Sequence, residues 1–411
     1  MGMEKILENE KSPPGGAAPP ARLGNAPEVA KLRLRVVVAE DRDALDVHVT
    51  AWQELAEHAL EPNPFYEPWM LIPAWQAFGK GQDLLFVFLY RDVPGVPARL
   101  CGFFPLQRRR FKGISVLGLW QHLHCFLCTP LLRAEEAPAC LAALLEWARR
   151  DPRGASVLEL NLVNGEGPFH RFLIDFFYEK DCCAFLEKCY TRALWLPRGD
   201  VESYLGLALS SSGRQDFRRK RKRLGKLGRL EFNVLEAGSD LERWLAQFLD
   251  LEASGWKGVQ QTALAKIPEE RDYFLEIARA AFERGQLQML GLFLDDKPIA
   301  LKCNFLTGEG AFVFKPAYDE SFARYSPGAL LELDNMQHCR CCSTVLWMDS
   351  CTVPDHPLWN RLWMDRRPIQ TVLVSTGGTW GNLLVSLRPL MRWLGRLFRQ
   401  KRLADVQGAA E

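Results

Sequence analysis

The 411-residue chain contains no uninterrupted apolar run of the about 18 residues that a membrane-crossing helix needs, so no transmembrane helix is predicted. Residues 1–30 include "KSPPGGAAPPARLGNAPEVA" and lack the apolar stretch of a secretory signal; they read as a disordered leader. Without such a signal, the 12 cysteines fit free thiols in a reducing cytoplasm better than a disulfide framework. The adjacent pairs Cys182–Cys183 and Cys341–Cys342 cannot usefully staple themselves. Near "HLHCFLC", His122 to Cys128, there is no second CxxC and no HxxxH, so four converging zinc ligands are missing. Buried strand thiols and no metal site are expected there. "GISVLGL" has two glycines without the dinucleotide-binding spacing, which excludes that reading.

The remainder is ordinary globular composition at a length that suggests two or three domains. The net charge of +2 is unevenly spread. "RQDFRRKRKRLGK", Arg214 to Lys226, carries a local +7, and Arg388 to Arg402 adds six basic residues and no acid, leaving −11 elsewhere. Two basic patches on an acidic body suit an anionic partner such as a nucleotide, phospholipid or RNA; a solvated helix face is the plainer alternative. Only Phe217 is aromatic in the first patch, which disfavours stacking on single-stranded RNA and leaves phosphate contacts open. In the tail, Arg388, Arg392 and Arg396 recur four apart, opposite Leu383, Leu387, Met391, Leu394 and Phe398. Such a helix either lies on an anionic membrane surface or packs on the body with its arginines in water.

The chain also repeats itself in order and type. "RLRVVV" from Arg33 with "DRDALDVHVTAWQELAEHAL" after it is matched 196 residues further on by "RLEFNVLEAGSDLERWLAQFLDLEASGW". Each opening leads to a second helical stretch (66–78 and 271–284) and then a hairpin. Strand, helix and strand follow: 123–131, 137–150 and 156–163 in the first half, with a helix over 169–179; 310–318, 326–339 and 344–349 in the second, with more strand near 370–374. The expected fold class is α/β, two similar domains in tandem, each a mixed central sheet flanked by helices. The predicted division is 31–197, 198–378 and a basic amphipathic tail, 379–411. No linker of disordered composition separates the domains near 190–200, so an extended interface is expected.

"FVFKPAYDESFARYSPGALLELDNM", Phe312 to Met336, joins a strand to a helix. Ser326 suits a helix cap and Pro327 the first helical position, while Ala329, Leu330, Leu333 and Met336 form an apolar stripe. Gly328, without a side chain over the first turn, leaves backbone N–H groups open to an anion. An ordinary capped helix is the plainer reading.

Together, "FLDLEASGWKG", "KPAYDE" with "YSPGALL", "LWMDSC" and the preceding basic run resemble the CelD-type family of GNAT acetyltransferases, linked to cellulose and exopolysaccharide synthesis. That family is similar to the Fem-type aminoacyl transferases, which also use tandem GNAT domains. The resemblance spans roughly 31–380. It implies two tandem GNAT-like domains and an acyltransferase that moves an acetyl or similar group from acetyl-CoA, or another acyl-CoA, to a hydroxyl or amine of a glycan or cell-envelope precursor. The alternatives are a Fem-type transferase, with tRNA on the basic run, and a non-catalytic binding module.

In the GNAT fold the fourth and fifth strands part, and the donor pyrophosphate rests on the following helix start. The resemblance therefore places donor contacts at Lys315, Tyr318, Tyr325, Ser326, Gly328 and Ala329, although the family's phosphate loop is met only in part by "RYSPGA". In the first half, "CTPLLRAEEAPAC" puts two glutamates at the equivalent place, where they would repel pyrophosphate; that half is expected to be structural or to bind the acceptor. Acyl transfer needs a proton acceptor. Glu252, Asp349 and Asp319 are the candidates, with Trp256, Lys257 and Arg218 for substrate. A surface carboxylate, an exposed basic residue and a core aromatic are the plainer readings of these.

Overall fold

The computed structural model describes residues 34–111, 114–151, 153–342 and 345–394. The predicted leader and the end of the basic tail lie outside them. Among the described residues thirteen strands form one sheet: β1 (Arg35–Ala39), β2 (Leu84–Val93), β3 (Val96–Phe111), β4 (Ile114–Leu119), β5 (Leu131–Leu132), β6 (Val157–Asn164), β7 (Ala184–Trp195), β8 (Leu230–Val234), β9 (Leu287–Leu294), β10 (Lys297–Thr307), β11 (Gly310–Tyr318), β12 (Trp347–Asp349) and β13 (Asp365–Ser375).

The predicted repeat is visible in the pairing. In the first half β1 to β4 run antiparallel in sequence order, and β6 joins β4 in parallel. In the second, β8 to β11 run antiparallel and β12 joins β11 in parallel. Each half has its amphipathic helices, such as Val49–Glu57 and Leu241–Ser254, burying Trp52 and Leu55 in one case and Leu245 and Phe248 in the other. β9, "LQMLGLFL", is buried along its whole length, as a strand covered on both faces should be.

The central sheets of the two halves join into one continuous sheet. Its order, β1-β2-β3-β4-β6-β13-β7-β12-β11-β10-β9-β8, places β13 between β6 and β7, both antiparallel to it, while β7 also pairs with β12. Aromatic rings close the contact between the halves: Phe65 lies 5.4 Å from Phe312 and Phe78 5.1 Å from Tyr273.

One strand expectation fails. Residues 123–131 are not a strand until Leu131, and "GISVLGL" supplies β4 instead. The 120–130 segment is apolar because Trp120, Cys125, Leu127 and Cys128 are buried in the core, with a turn bond from Cys125 N to His122 O and a bond from Cys128 N to Leu162 O of β6. Burial, not extended conformation, accounts for its composition.

Candidate active site

β11 and β12 pair through only three residues each, Gly310–Phe312 with Trp347–Asp349. β11 then continues to Tyr318, held on its other edge by β10. Where β12 is no longer alongside, a cavity of about 630 Å³ opens. The end of β11 forms one wall (Pro316, Ala317, Tyr318) and the start of the helix Pro327–Cys342 another. Exposed Trp256 and Tyr318 stand at the mouth, and buried Lys302, Glu332 and Trp359 form the floor.

The helix start is built unusually. Ser326 ends a 3-10 helix, Glu320–Tyr325, with left-handed backbone (φ 54°), and its carbonyl accepts from the N–H groups of Ala329 and Leu330. Its hydroxyl, expected to cap the helix, accepts instead from Lys220 Nζ at 3.0 Å. Pro327 has no N–H and Ala329 is already bonded to Ser326, which leaves the Gly328 amide at the first turn, and the helix dipole disfavours a cation there. Lys220, also 3.0 Å from Asp216, thus sits where an anion would be welcome. A Cβ on Gly328 would meet only Tyr318 Cδ1, at an ordinary 3.8 Å.

The floor holds a charge pair that the sequence reading missed. Lys302 Nζ contacts Glu332 Oε2 at 2.5 Å and lies 4.7 Å from the Trp359 ring centre. Asn335 donates to Glu332 Oε1 at 3.1 Å. Burial pushes the Glu332 carboxyl up, and the Lys302 ammonium opposes that shift. A lysine inside the apolar strand run "ALKCNF", and a glutamate interrupting "GALLEL", were the signals available.

Residues 211–345 match the acetyltransferase (GNAT) domain. The chain's fold resembles a conserved protein of unknown function from Bacteroides thetaiotaomicron VPI-5482, 11% identical, which covers 83% of this chain and 100% of that one with a TM-score of 0.51. It also resembles FemX, 10% identical, covering 79% and 95% with a TM-score of 0.51. A tandem GNAT protein from the clavulanic acid biosynthesis pathway matches at 14% identity over 84% and 100%, with a TM-score of 0.43. The first two matches, at a TM-score of 0.51 and 10–11% identity, show a likeness of fold alone. No curated protein matches the sequence.

Within and around the GNAT domain, the cavity gathers Tyr318, Ser326, Gly328, Ala329, Trp256 and Lys257 from among the predicted residues. The others lie elsewhere. Tyr325 is half-buried, with the Arg324 guanidinium 4.8 Å from its ring centre. Arg218 is exposed and paired with Glu202. Asp319 caps the short 3-10 helix, accepting from Ser321 N at 2.9 Å. Lys315 points to Glu252 at 4.0 Å; burial pushes its ammonium down, against the carboxylate's pull.

Glu252 is buried beside a small recess that shares Trp256, Lys257 and Tyr318 with the cavity. Lys257 Nζ reaches its Oε1 at 2.7 Å, and its Oε2 accepts from Leu264 N at 2.9 Å, fastening the loop that presents Trp256. Asp349 is fully buried away from the cavity walls. Arg192 holds it at 2.7 and 2.8 Å, and Arg367 at 2.9 Å. Burial works against its charge, but the Arg192 and Arg367 guanidiniums hold its carboxyl below the usual range. In the first half, the equivalent helix start is closed by buried Glu136, 3.0 Å from Arg91. His124 Nε2 meets Glu270 Oε2 at 2.8 Å, and the Cys125 and Cys128 sulfurs are 3.7 Å apart. No group of three or more metal-ligating side chains occurs among the described residues.

Proposed function

We propose that the chain is an acyltransferase taking an acyl-CoA donor, acetyl-CoA first among them, into the cavity at Tyr318–Ala329. The observation that carries this reading is Gly328. Neither its backbone conformation nor its neighbours require glycine. A ligand approaching the Gly328 amide would require it. The pyrophosphate would meet the Gly328 amide and Lys220, and the pantetheine arm would lie along the β11 edge that β12 leaves.

Acyl transfer then asks for a proton acceptor where the acceptor's amine or hydroxyl attacks the carbonyl. Glu332 is proposed for that role, because burial raises its proton affinity and it faces the cavity. Lys302 would steady charge developing on the carbonyl oxygen or leaving thiolate. Glu252, bound to a lysine and a backbone amide, would position the Trp256 loop. Exposed Trp256 and Tyr318 suit stacking on a sugar ring, which keeps a glycan or cell-envelope precursor, and with it the exopolysaccharide-linked branch, as the proposed acceptor class. The division at 197/198, with 379–411 as a tail, is part of the same proposal, as is a cytoplasmic location beside a membrane. Among the described residues no helix is long and apolar enough to cross a membrane.

The tRNA-dependent alternative needs free cations on the helix Ser211–Leu224. Four of its basic residues, Arg214, Arg218, Arg219 and Arg221, are already in ion pairs.

The deciding experiment is calorimetry of the intact protein with acetyl-CoA and with charged tRNA. Acetyl-CoA should bind, and Gly328→Val should weaken it by more than about tenfold, or about 1.4 kcal/mol, with little loss of thermal stability. Glu332→Gln should bind the donor but lose turnover. Normal donor binding by folded Gly328→Val would refute the phosphate site, and binding of tRNA alone would favour the Fem-type reading.

A further inference from the structure

The tail helix does not pack on the body with its arginines in water. The helix Thr379–Ser386 presses Gly381 against the sheet; a Cβ there would lie 2.6 Å from Ser156 O. Beyond it, Arg388 grips Glu187 at 2.8 and 2.9 Å, and Arg392 donates to the Glu187 carbonyl at 2.7 Å. With those arginines facing the body, the apolar side faces out. Trp380 is 74% exposed and Trp393 52%, and Leu383, Leu387, Leu390 and Met391 are exposed between them. So large an exposed apolar stripe on an anchored element marks a contact surface.

The charge around it identifies what covers it. A groove of about 460 Å³ lies between the sheet, which lines it with Val116 and Leu373, and the helix, which lines it with Leu384. Arg109, Arg110, Lys188 and Arg388 edge the groove; its two acids, Glu159 and Glu187, are already paired, with Arg109 at 2.6 Å and Arg388 at 2.8 Å. The sequence carries no carboxylate between Asp365 and Asp405. We propose that this face docks on an anionic lipid bilayer, with Trp380 and Trp393 in the interfacial layer and Arg110 and Lys188 against lipid headgroups. A second copy of the chain is the poorer occupant, because a two-fold contact would set one basic rim against the other.

The test is sedimentation of the full-length protein with vesicles of phosphatidylcholine alone and of phosphatidylcholine with phosphatidylglycerol. Binding should require the anionic lipid and weaken with salt. The exposed double substitution Trp380→Ser/Trp393→Ser should lower partitioning at least about tenfold without changing the thermal midpoint. Arg110→Glu/Lys188→Glu should reduce the preference for anionic vesicles. Equal recovery with both vesicle types, or wild-type binding by the tryptophan variant, would overturn the proposal. So would a concentration-dependent dimer that the tryptophan variant abolishes.

Discussion

Burial decides the charge state of His122 and His124. Enclosure by the core pushes the His122 ring down to about 3. His124 is pushed to about 2, first by burial and then by the nearby Lys315 and Lys257 ammoniums. In the unfolded chain both would titrate near about 6.5. Below that pH the unfolded state holds protons that the folded state does not, so stability falls as the solution is acidified. The slope is at most about 1.4 kcal/mol per pH unit for each ring. Glu270 acts with the opposite sign, since burial raises its carboxyl, as it does those of Glu61, Glu67, Glu166, Glu332 and Asp334. Denaturant unfolding between pH 6.5 and 5 should therefore show falling stability, and His122→Gln should reduce that slope without abolishing it, because burial also pushes down His48, His124, His170, His338 and His356. An unchanged slope would mean that His122 is not held neutral. The composition of "HLHCFLC" argued against zinc, but the neutral histidine pair could not be read from it, because Tyr273 and Glu270 reach it from the other half of the chain.

At the scale of elements, the Tyr318–Ala329 junction was legible because serine, proline and glycine punctuate a local change from strand to helix. The Lys302–Glu332 pair was not. Each residue reads alone as one charge in an apolar run, and their meeting depends on how a helix lies across β10. Asp349 was legible as an important acid, but its surroundings were not. Three strands converge on it, β7 through Arg192, its own β12, and β13 through Arg367. It therefore reads best as a fastening between elements. Asp349→Asn would leave Arg192 buried without its counter-charge and should cost about 3–5 kcal/mol in denaturant unfolding. Turnover per folded molecule should stay within a few-fold of the parent. Small destabilisation with abolished turnover would instead make Asp349 a catalytic group.

At the scale of the whole molecule, the tandem plan was legible because each half repeats the same local alternation of strand and helix. The exchange at its centre was not, because β13 pairs Val372 with Leu160 and Leu186, partners far away in sequence that no local pattern specifies. That exchange has a physical consequence. β6 and β7 both depend on β13 for a neighbour, so a chain ending after Trp195 would carry two unpaired edges and would bury less of its core. Such a fragment, 34–195, should be aggregation-prone or bind a hydrophobic dye, and co-expression with 196–411 should recover a soluble complex. The intact protein should unfold in a single transition by both fluorescence and far-UV circular dichroism, because β7 and β13 cannot leave one half without opening the other. Two separated transitions, or a stable monomeric 34–195 fragment, would show that each half is complete alone and that the shared strands are an accessory to folding rather than a condition of it.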